Sequence, residues 1–155
     1  KTLVLCDTFP GFDASFKPEK REEFVRIRKQ PLIEGKQPKD IAPVVAKTLI
    51  GPKATEAHFQ RLVDSMSMLH KESYIKTVEA TTFYDRVADL PNIKVPVLLV
   101  YGGADKLTPP KIGERMQQEI PDARLEVIED AGHLPNIEQP EEFNRLVLEF
   151  LAQHR

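Results

Sequence analysis

The chain has 155 residues, the size of one domain, and its 22 basic and 24 acidic side chains give a formal net charge of -2. These charges are scattered and form no basic block, which argues against nucleic acid as a partner. No run approaches the roughly 20 apolar residues that span a bilayer, so we expect no membrane partner. The single cysteine, Cys6, cannot form an internal disulfide and is compatible with the reducing cytoplasm.

The first predicted element is a strand from Thr2 to Cys6 (TLVLC). Its branched and apolar side chains are typical of a buried parallel strand, and the turn formers Asp7, Pro10 and Gly11 end it. The chain begins inside this apolar run, without a methionine or a cap, which we interpret as a cut edge.

From Gly11 to about Val87 the pattern predicts helices broken by proline and glycine, with breaks at Pro18, Pro31, Gly35, Pro38, Pro43, Gly51 and Pro52. The clearest helix is predicted from Thr55 to Lys71, where apolar residues recur at three- and four-residue steps. A second is predicted from Glu72 to Phe83.

After Pro91 strands and helices alternate. The pattern predicts two strands, Val97 to Tyr101 and Arg124 to Ile128, and two helices, Lys111 to Glu119 and Pro140 to Gln153. Such alternation indicates a parallel sheet with right-handed crossovers. Ligand sites in these sheets lie at the carboxyl ends of the strands.

Two loops therefore become candidates for the site: GGADKLTPP after Tyr101 and EDAGHLPNIEQPEEF after Ile128. The first places Asp105 among small residues, and the second places His133 beside Ala131 and Gly132. Taken singly, each could be a turn residue or a loop histidine. At one sheet edge, however, a carboxylate can bind one imidazole nitrogen while the other faces a nucleophile.

These two segments resemble the α/β-hydrolases over about Asn92 to Leu151, and GHLPNIEQPEEF is most similar to 3-oxoadipate enol-lactonases and related carboxylesterases. The resemblance implies an α/β fold: the C-terminal part of an α/β-hydrolase parallel sheet (its last three strands) with an inserted helical cap. It assigns residues 1–10 and 88–155 to the core and 11–87 to the cap. It makes His133 the catalytic base and Asp105 the acid, with Asp7 as the alternative acid.

The sequence departs from that family in one respect. It lacks the G-x-S-x-G nucleophile elbow and the HG-type oxyanion loop. None of the four serines has the flanking glycines of an elbow, and we interpret all of them as ordinary polar positions: Ser15, Ser65, Ser67 and Ser73.

Other candidates receive structural interpretations. Cys6 lies in an apolar run and is expected to pack as a small hydrophobe. His58 and His70 have no third ligand in view, so no metal site is expected, and no cofactor is implied. Met66 belongs to the apolar stripe of its helix, while Met68 lies on another face.

The leading hypothesis is a hydrolase of small carboxylic esters or lactones, using Ser-His-Asp chemistry with the serine in a missing upstream half. The chain alone would then be inactive. Alternatives are a dehalogenase, an epoxide hydrolase or a carbon–carbon hydrolase on the same fold, or a non-catalytic fragment. Expected partners are the substrate and either the N-terminal half of the fold or a second copy associating through residues 2–6.

Overall fold

The computed structural model describes residues 1–11 and 18–154, and its sheet is organised around one buried strand. Every residue of this strand, β2 (Val97–Gly102), is buried. Strands β1 (Leu3–Cys6) and β3 (Ala123–Ile128) pair with its two edges, both in parallel, in the order β1-β2-β3. The predicted parallel arrangement of three strands is confirmed.

Helices surround this sheet and fill the long connection between β1 and β2. Within the described residues the α-helices are α1 Pro18–Ile33, α2 Pro38–Leu49, α3 Glu56–Ser67, α4 Lys71–Thr82, α5 Pro110–Glu119, α6 Pro135–Glu138 and α7 Pro140–Gln153. A 3₁₀-helix spans Val87–Asn92.

The core has two layers because side chains alternate along β2. Val97, Leu99 and Tyr101 point to one face, and Leu98 and Val100 point to the other. The buried partners are Leu90, Met116 and Ile120 on the first face, and Ile128, Ala131, Leu146 and Phe150 on the second. The sheet is thus covered by α5 and the 3₁₀-helix on one side and by α7 on the other.

Two prolines that the sequence suggested as breaks lie inside helices. Pro31 falls in the last part of α1, and Pro43 falls within α2. A proline removes one intrahelical hydrogen bond at a cost of about 3 kcal/mol. The apolar face of α2, which includes the buried Ile41 and Ala46, packs against α3. Tertiary packing of this kind can outweigh one lost hydrogen bond.

The helix predicted from Thr55 to Lys71 is shorter in the structure. Thr55 is the N-cap of α3, its hydroxyl accepting the His58 N–H at 3.3 Å, and α3 ends at Ser67. His70 is extended and caps α4. The predicted helix was too long because the apolar pattern of the sequence continues past the end of α3. Leu69 lies beyond that end but lines the same small gap as Met66 of α3.

The long connection between β1 and β2 leaves the sheet and returns to it at adjacent points. Gly11 forms an antiparallel bridge with Asp85, and the Arg86 N–H donates to the Pro10 carbonyl. The two ends of the helical stretch, at residues 10–11 and 85–86, are therefore held together close to β1. Among the described residues, no helix combines the length and apolar character needed to cross a membrane.

Candidate active site

Three titratable side chains lie beyond the ends of the three strands. Asp7 follows β1 directly, Asp105 lies in the loop after β2, and His133 lies in the loop after β3. Because the strands are parallel, their carboxyl ends meet at one edge of the sheet. The loops after β2 and β3 are also joined directly, since the Ala104 N–H donates to the Ala131 carbonyl at 2.9 Å.

The His133 imidazole and the Asp105 carboxylate form a direct hydrogen bond. Nδ1 of His133 lies 2.8 Å from Oδ2 of Asp105. The Asp105 side chain is 1% exposed and that of His133 is 23% exposed. Because Nδ1 is engaged, Nε2 is the ring nitrogen available to a second group. This arrangement can fix the imidazole in one tautomer with Nε2 as a base.

The Asp105 carboxylate is held by two further donors. The Leu107 N–H donates to Oδ1 at 2.8 Å, and the Thr108 hydroxyl donates to Oδ2 at 2.6 Å. Thr108 is itself buried, and its oxygen also lies 3.2 Å from Nδ1 of His133. Sequence reasoning missed Thr108; the Asp-x-x-Thr spacing of a turn was the available signal.

The pair shifts its two pKa values in opposite directions. Burial disfavours charged Asp105, but hydrogen bonds from His133, Thr108 and Leu107 outweigh it and lower the pKa of the carboxyl. Burial also disfavours charged His133, but the hydrogen bond and charge of Asp105 outweigh it and raise the pKa of the imidazole. The pair therefore favours an ionised carboxylate and stabilises the protonated ring.

Asp7, the alternative acid, binds the backbone at the end of β2. Its Oδ1 accepts the Gly102 N–H at 2.8 Å, and its φ of 38° lies in the strained left-handed region. Burial raises the pKa of Asp7 to about 7, opposed by the Gly102 hydrogen bond and reinforced by the charge of Asp105. The hydrogen bond to the imidazole comes from Asp105, so the geometry favours Asp105 over Asp7 as its partner.

Cys6 is poorly suited to act as a nucleophile. Its Sγ lies 3.5 Å from Oδ2 of Asp7. Burial, with the charge of Asp7, raises the pKa of the thiol to about 12. Because the thiolate is the reactive form, a thiol with this pKa is inert near neutral pH.

His58 and His70, the other two histidines singled out, make local contacts at the starts of helices. Nδ1 of His58 accepts the Thr55 N–H at 3.3 Å at the start of α3. His70 precedes α4, where its Nδ1 lies 3.2 Å from the Ser73 hydroxyl.

The serines have ordinary surroundings where the structure describes them. Ser67 donates to the Val63 carbonyl at 2.6 Å, as helical serines often do, and Ser65 is exposed on the same helix. Ser73 is also exposed, and Ser15 lies outside the described residues. Of the two methionines singled out, Met66 is half-buried, whereas Met68 is 81% exposed.

Asp7, Asp105 and His133 could each offer one ligand atom to a cation, and these atoms lie within 4.8 Å of one another. The same atoms already have hydrogen-bonding roles, since Asp105 binds His133 and Asp7 binds Gly102. A cation that used Nδ1 of His133 would have to displace Asp105. The arrangement suits proton transfer better than metal binding.

A cavity of about 550 Å³ lies beside Asp105. Residues 50–52, which follow α2, form one side, and residues 103–106, which include Asp105, form the other. A small organic molecule fits a space of this size. The helical stretch thus contributes directly to the surroundings of the acid–histidine pair.

Known proteins share this sequence pattern. Residues 3–146 match the family described as the alpha/beta hydrolase family. The 2-hydroxy-6-oxononadienedioate/2-hydroxy-6-oxononatrienedioate hydrolase of Escherichia coli O139:H28 (strain E24377A / ETEC) is 32% identical over 159 residues, covering 97% of this chain and 54% of that protein. The chain matches between 30% and 54% of the length of the curated relatives.

Solved structures share the fold. A thermophilic esterase from Thermogutta terrifontis superposes with a TM-score of 0.83 and 28% identity. The enol-lactonase from Burkholderia xenovorans LB400 gives a TM-score of 0.81 and 25% identity. Each comparison covers 98% of this chain and 56% of the other protein. Fold and sequence match thus agree, and the chain belongs to the alpha/beta hydrolase family.

Proposed function

We propose that the protein containing this chain hydrolyses small carboxylic esters or lactones, with His133 as the general base and acid and Asp105 as the residue that orients it. The observation that carries the proposal is the 2.8 Å contact between Nδ1 of His133 and Oδ2 of Asp105. A buried carboxylate on one ring nitrogen leaves the other available to activate a nucleophile. The cavity beside Asp105 supports a small substrate.

In the proposed reaction, Nε2 of His133 accepts the proton of a serine hydroxyl as its oxygen attacks the carbonyl carbon. The protonated ring, stabilised by Asp105, then gives this proton to the departing alkoxide as the carbon–oxygen bond breaks. Water next gives a proton to His133 and attacks the acyl-serine. His133 returns this proton to the serine oxygen as the bond between that oxygen and the acyl carbon breaks, which releases the carboxylic acid and restores the serine. With a lactone, the departing hydroxyl stays attached to the acid.

The nucleophile is assigned to a serine outside these 155 residues, because the sequence contains no G-x-S-x-G. The greater length of the relatives supports this assignment. We therefore expect the 155 residues alone to be inactive on esters, and the N-terminal half of the fold to be the partner that completes the site.

We also propose that residues 11–87 form a cap over a core made of residues 1–10 and 88–155. The adjacent exit and return of the chain at Gly11 and Asp85, together with the cavity wall at residues 50–52, support this division. The single cysteine supports a reducing compartment, and we propose the cytoplasm.

The test is turnover of p-nitrophenyl acetate and a small lactone by the full-length protein. His133→Ala should lower kcat by roughly 10⁴-fold or more, and Asp105→Asn by roughly 10³- to 10⁴-fold, because the ring loses its fixed tautomer. His58→Ala and His70→Ala are matched controls, since the His58 ring contacts the Thr55 N–H and the His70 ring contacts the Ser73 hydroxyl, and both contacts are local. Equal, mild losses in all four variants would contradict the proposal.

A carbon–carbon hydrolase is the second candidate, favoured by curated relatives named as hydrolases of 2-hydroxy-6-oxononadienedioate and 2-hydroxy-6-oxononatrienedioate. The same acid–histidine pair would serve this reaction. The two candidates are distinguished by measuring kcat/KM of the full-length protein for a 2-hydroxy-6-oxo dienoate and, separately, for an ester. A preference of 10²-fold or more for the dienoate, about 3 kcal/mol in transition-state binding, would favour the second candidate.

A further inference from the structure

Glu138 is a buried carboxylate close to the acid–histidine pair. It is the last residue of α6 and is 7% exposed. Its Oε2 accepts the Gly51 N–H at 2.7 Å, and both of its oxygens lie 3.1 Å from the Gly132 nitrogen, whose N–H they share. Removing a carboxylate from water is costly unless donors replace the water. Here the donors are backbone amides from two separate segments of the chain.

Those two segments are in direct backbone contact. Gly132 immediately precedes His133, whose own N–H donates to the Leu49 carbonyl at 2.7 Å. A Cβ at Gly132 would collide with the Leu49 carbonyl oxygen, and one at Gly51 would collide with the Asp130 carbonyl oxygen. No side chain fits between the segments, so their positions are tightly linked.

We propose that Glu138 is a positioning residue for His133, fastening the backbone that carries the imidazole to the segment after α2. This inference rests on the proposed function, because it gives Glu138 a task in the same proton-transfer step. Residues 50–52 of the fastened segment also line the cavity. Glu138 therefore fixes the distance from the imidazole to the cavity wall, while Asp105 fixes the orientation of the ring.

The charge of Glu138 acts on the same ring. The acidic groups facing His133 are Asp105, Asp7 and Glu138, and each raises the pKa of the imidazole against the opposing effect of burial. A neutral residue at position 138 should therefore move the pKa of His133 downward.

The main test is Glu138→Gln in the full-length protein. Glutamine keeps the shape, and its oxygen can take the place of Oε2, but its NH₂ group then replaces Oε1 and faces the Gly132 N–H, donor against donor. We expect kcat to fall about 10²-fold, the effect of a displacement of about 1 Å, with KM changed less than about threefold. The acid limb of kcat/KM should move to lower pH. Glu141→Gln, an exposed neighbour, is the matched control and should match wild type.

A second variant separates position from charge. Glu138→Asp keeps the carboxylate but is one methylene shorter, so it cannot reach both amides. We expect kcat to fall as in Glu138→Gln while the acid limb stays in place. If Glu138→Gln fails to fold, kcat of Glu138→Asp decides the question.

Amide hydrogen exchange in the wild-type protein gives a readout that needs neither variant nor activity. The N–H groups of Gly51, Gly132 and His133 should exchange together, because one opening event releases all three. Independent exchange of these amides would overturn the proposal.

Failure of this inference can be distinguished from failure of the proposed function. If His133→Ala keeps full activity, the proposed function fails, and amide exchange alone still reports whether the segments are fastened. If His133→Ala is inactive but Glu138→Gln and Glu138→Asp keep the wild-type kcat, the positioning role alone is refuted.

Discussion

Replacing Asp7 by asparagine should stabilise the fold above neutral pH and have little effect in acid. Burial raises the pKa of Asp7 from its ordinary 3.8 to about 7. Between these values the native protein holds a proton that the unfolded chain has released. The free energy of unfolding of the wild type therefore falls as pH rises from about 4 to about 7.

The size of this effect follows from the same interval. A rise in the pKa of Asp7 from 3.8 to about 7 corresponds to a loss of about 4 kcal/mol in the free energy of unfolding. This loss is complete once the pH exceeds the pKa of the folded state. Asp7 interacts with Asp105 and His133, so about 2 to 4 kcal/mol is the realistic range. Asparagine is neutral throughout and keeps an oxygen for the Gly102 N–H, so it avoids this loss.

Urea unfolding of wild type and Asp7→Asn at half-unit steps from pH 4 to pH 8 measures the effect. The stability advantage of the variant should grow with pH, while the contributions of Asp105 and His133 largely cancel in the difference. Asp122→Asn, at an exposed site before β3, is the control and should give a constant difference. A constant difference for Asp7→Asn as well would refute the argument from burial.

Three further outcomes are expected. Thr108→Val in the full-length protein keeps the side-chain shape but removes a hydrogen-bond donor to Asp105. We expect kcat/KM to fall about tenfold, the effect of losing one charge-assisted hydrogen bond. An unchanged kcat/KM would mean that the hydroxyl contributes nothing. Cys6 should react with iodoacetamide at pH 8 roughly a thousandfold more slowly than an ordinary thiol, given its raised pKa, and fast labelling would contradict that pKa. The isolated 155 residues should associate through the Thr2–Cys6 edge, or require the N-terminal half, because an unpaired strand edge invites pairing; sedimentation showing a stable monomer would rule this out.

Sequence reasoning was most accurate where one strong pattern determines an element. β2 is continuously apolar and was predicted within one residue of its end, and the predicted bounds of α7 agree with the structure. The breaks in the helical stretch were less predictable. Pro31 and Pro43 lie inside helices, and His70 interrupts a stripe that continues in space, because in each case packing between helices decides the outcome.

The residues of the candidate site also differ in how far the sequence could predict them. Asp105 and His133 could be placed together because both follow parallel strands, and position relative to strand ends is readable from sequence. Thr108 and Glu138 could not be identified, because their partners depend on tertiary contacts. Nothing in the sequence around Glu138 indicates that its carboxylate binds the amide of Gly51, far away along the chain.

The pairing of β1 with β2 has a consequence for how the family can vary. About ninety residues separate these neighbouring strands along the chain, so forming the sheet requires the closure of a long loop. The entropy lost on closure grows only with the logarithm of loop length, and doubling this connection would cost only about 0.6 kcal/mol more. The sheet is therefore nearly indifferent to the length of the segment between Gly11 and Asp85. Apart from residues 49–51, whose backbone contacts His133 and Glu138, that segment can vary in length while the strand ends keep Asp105 and His133 together.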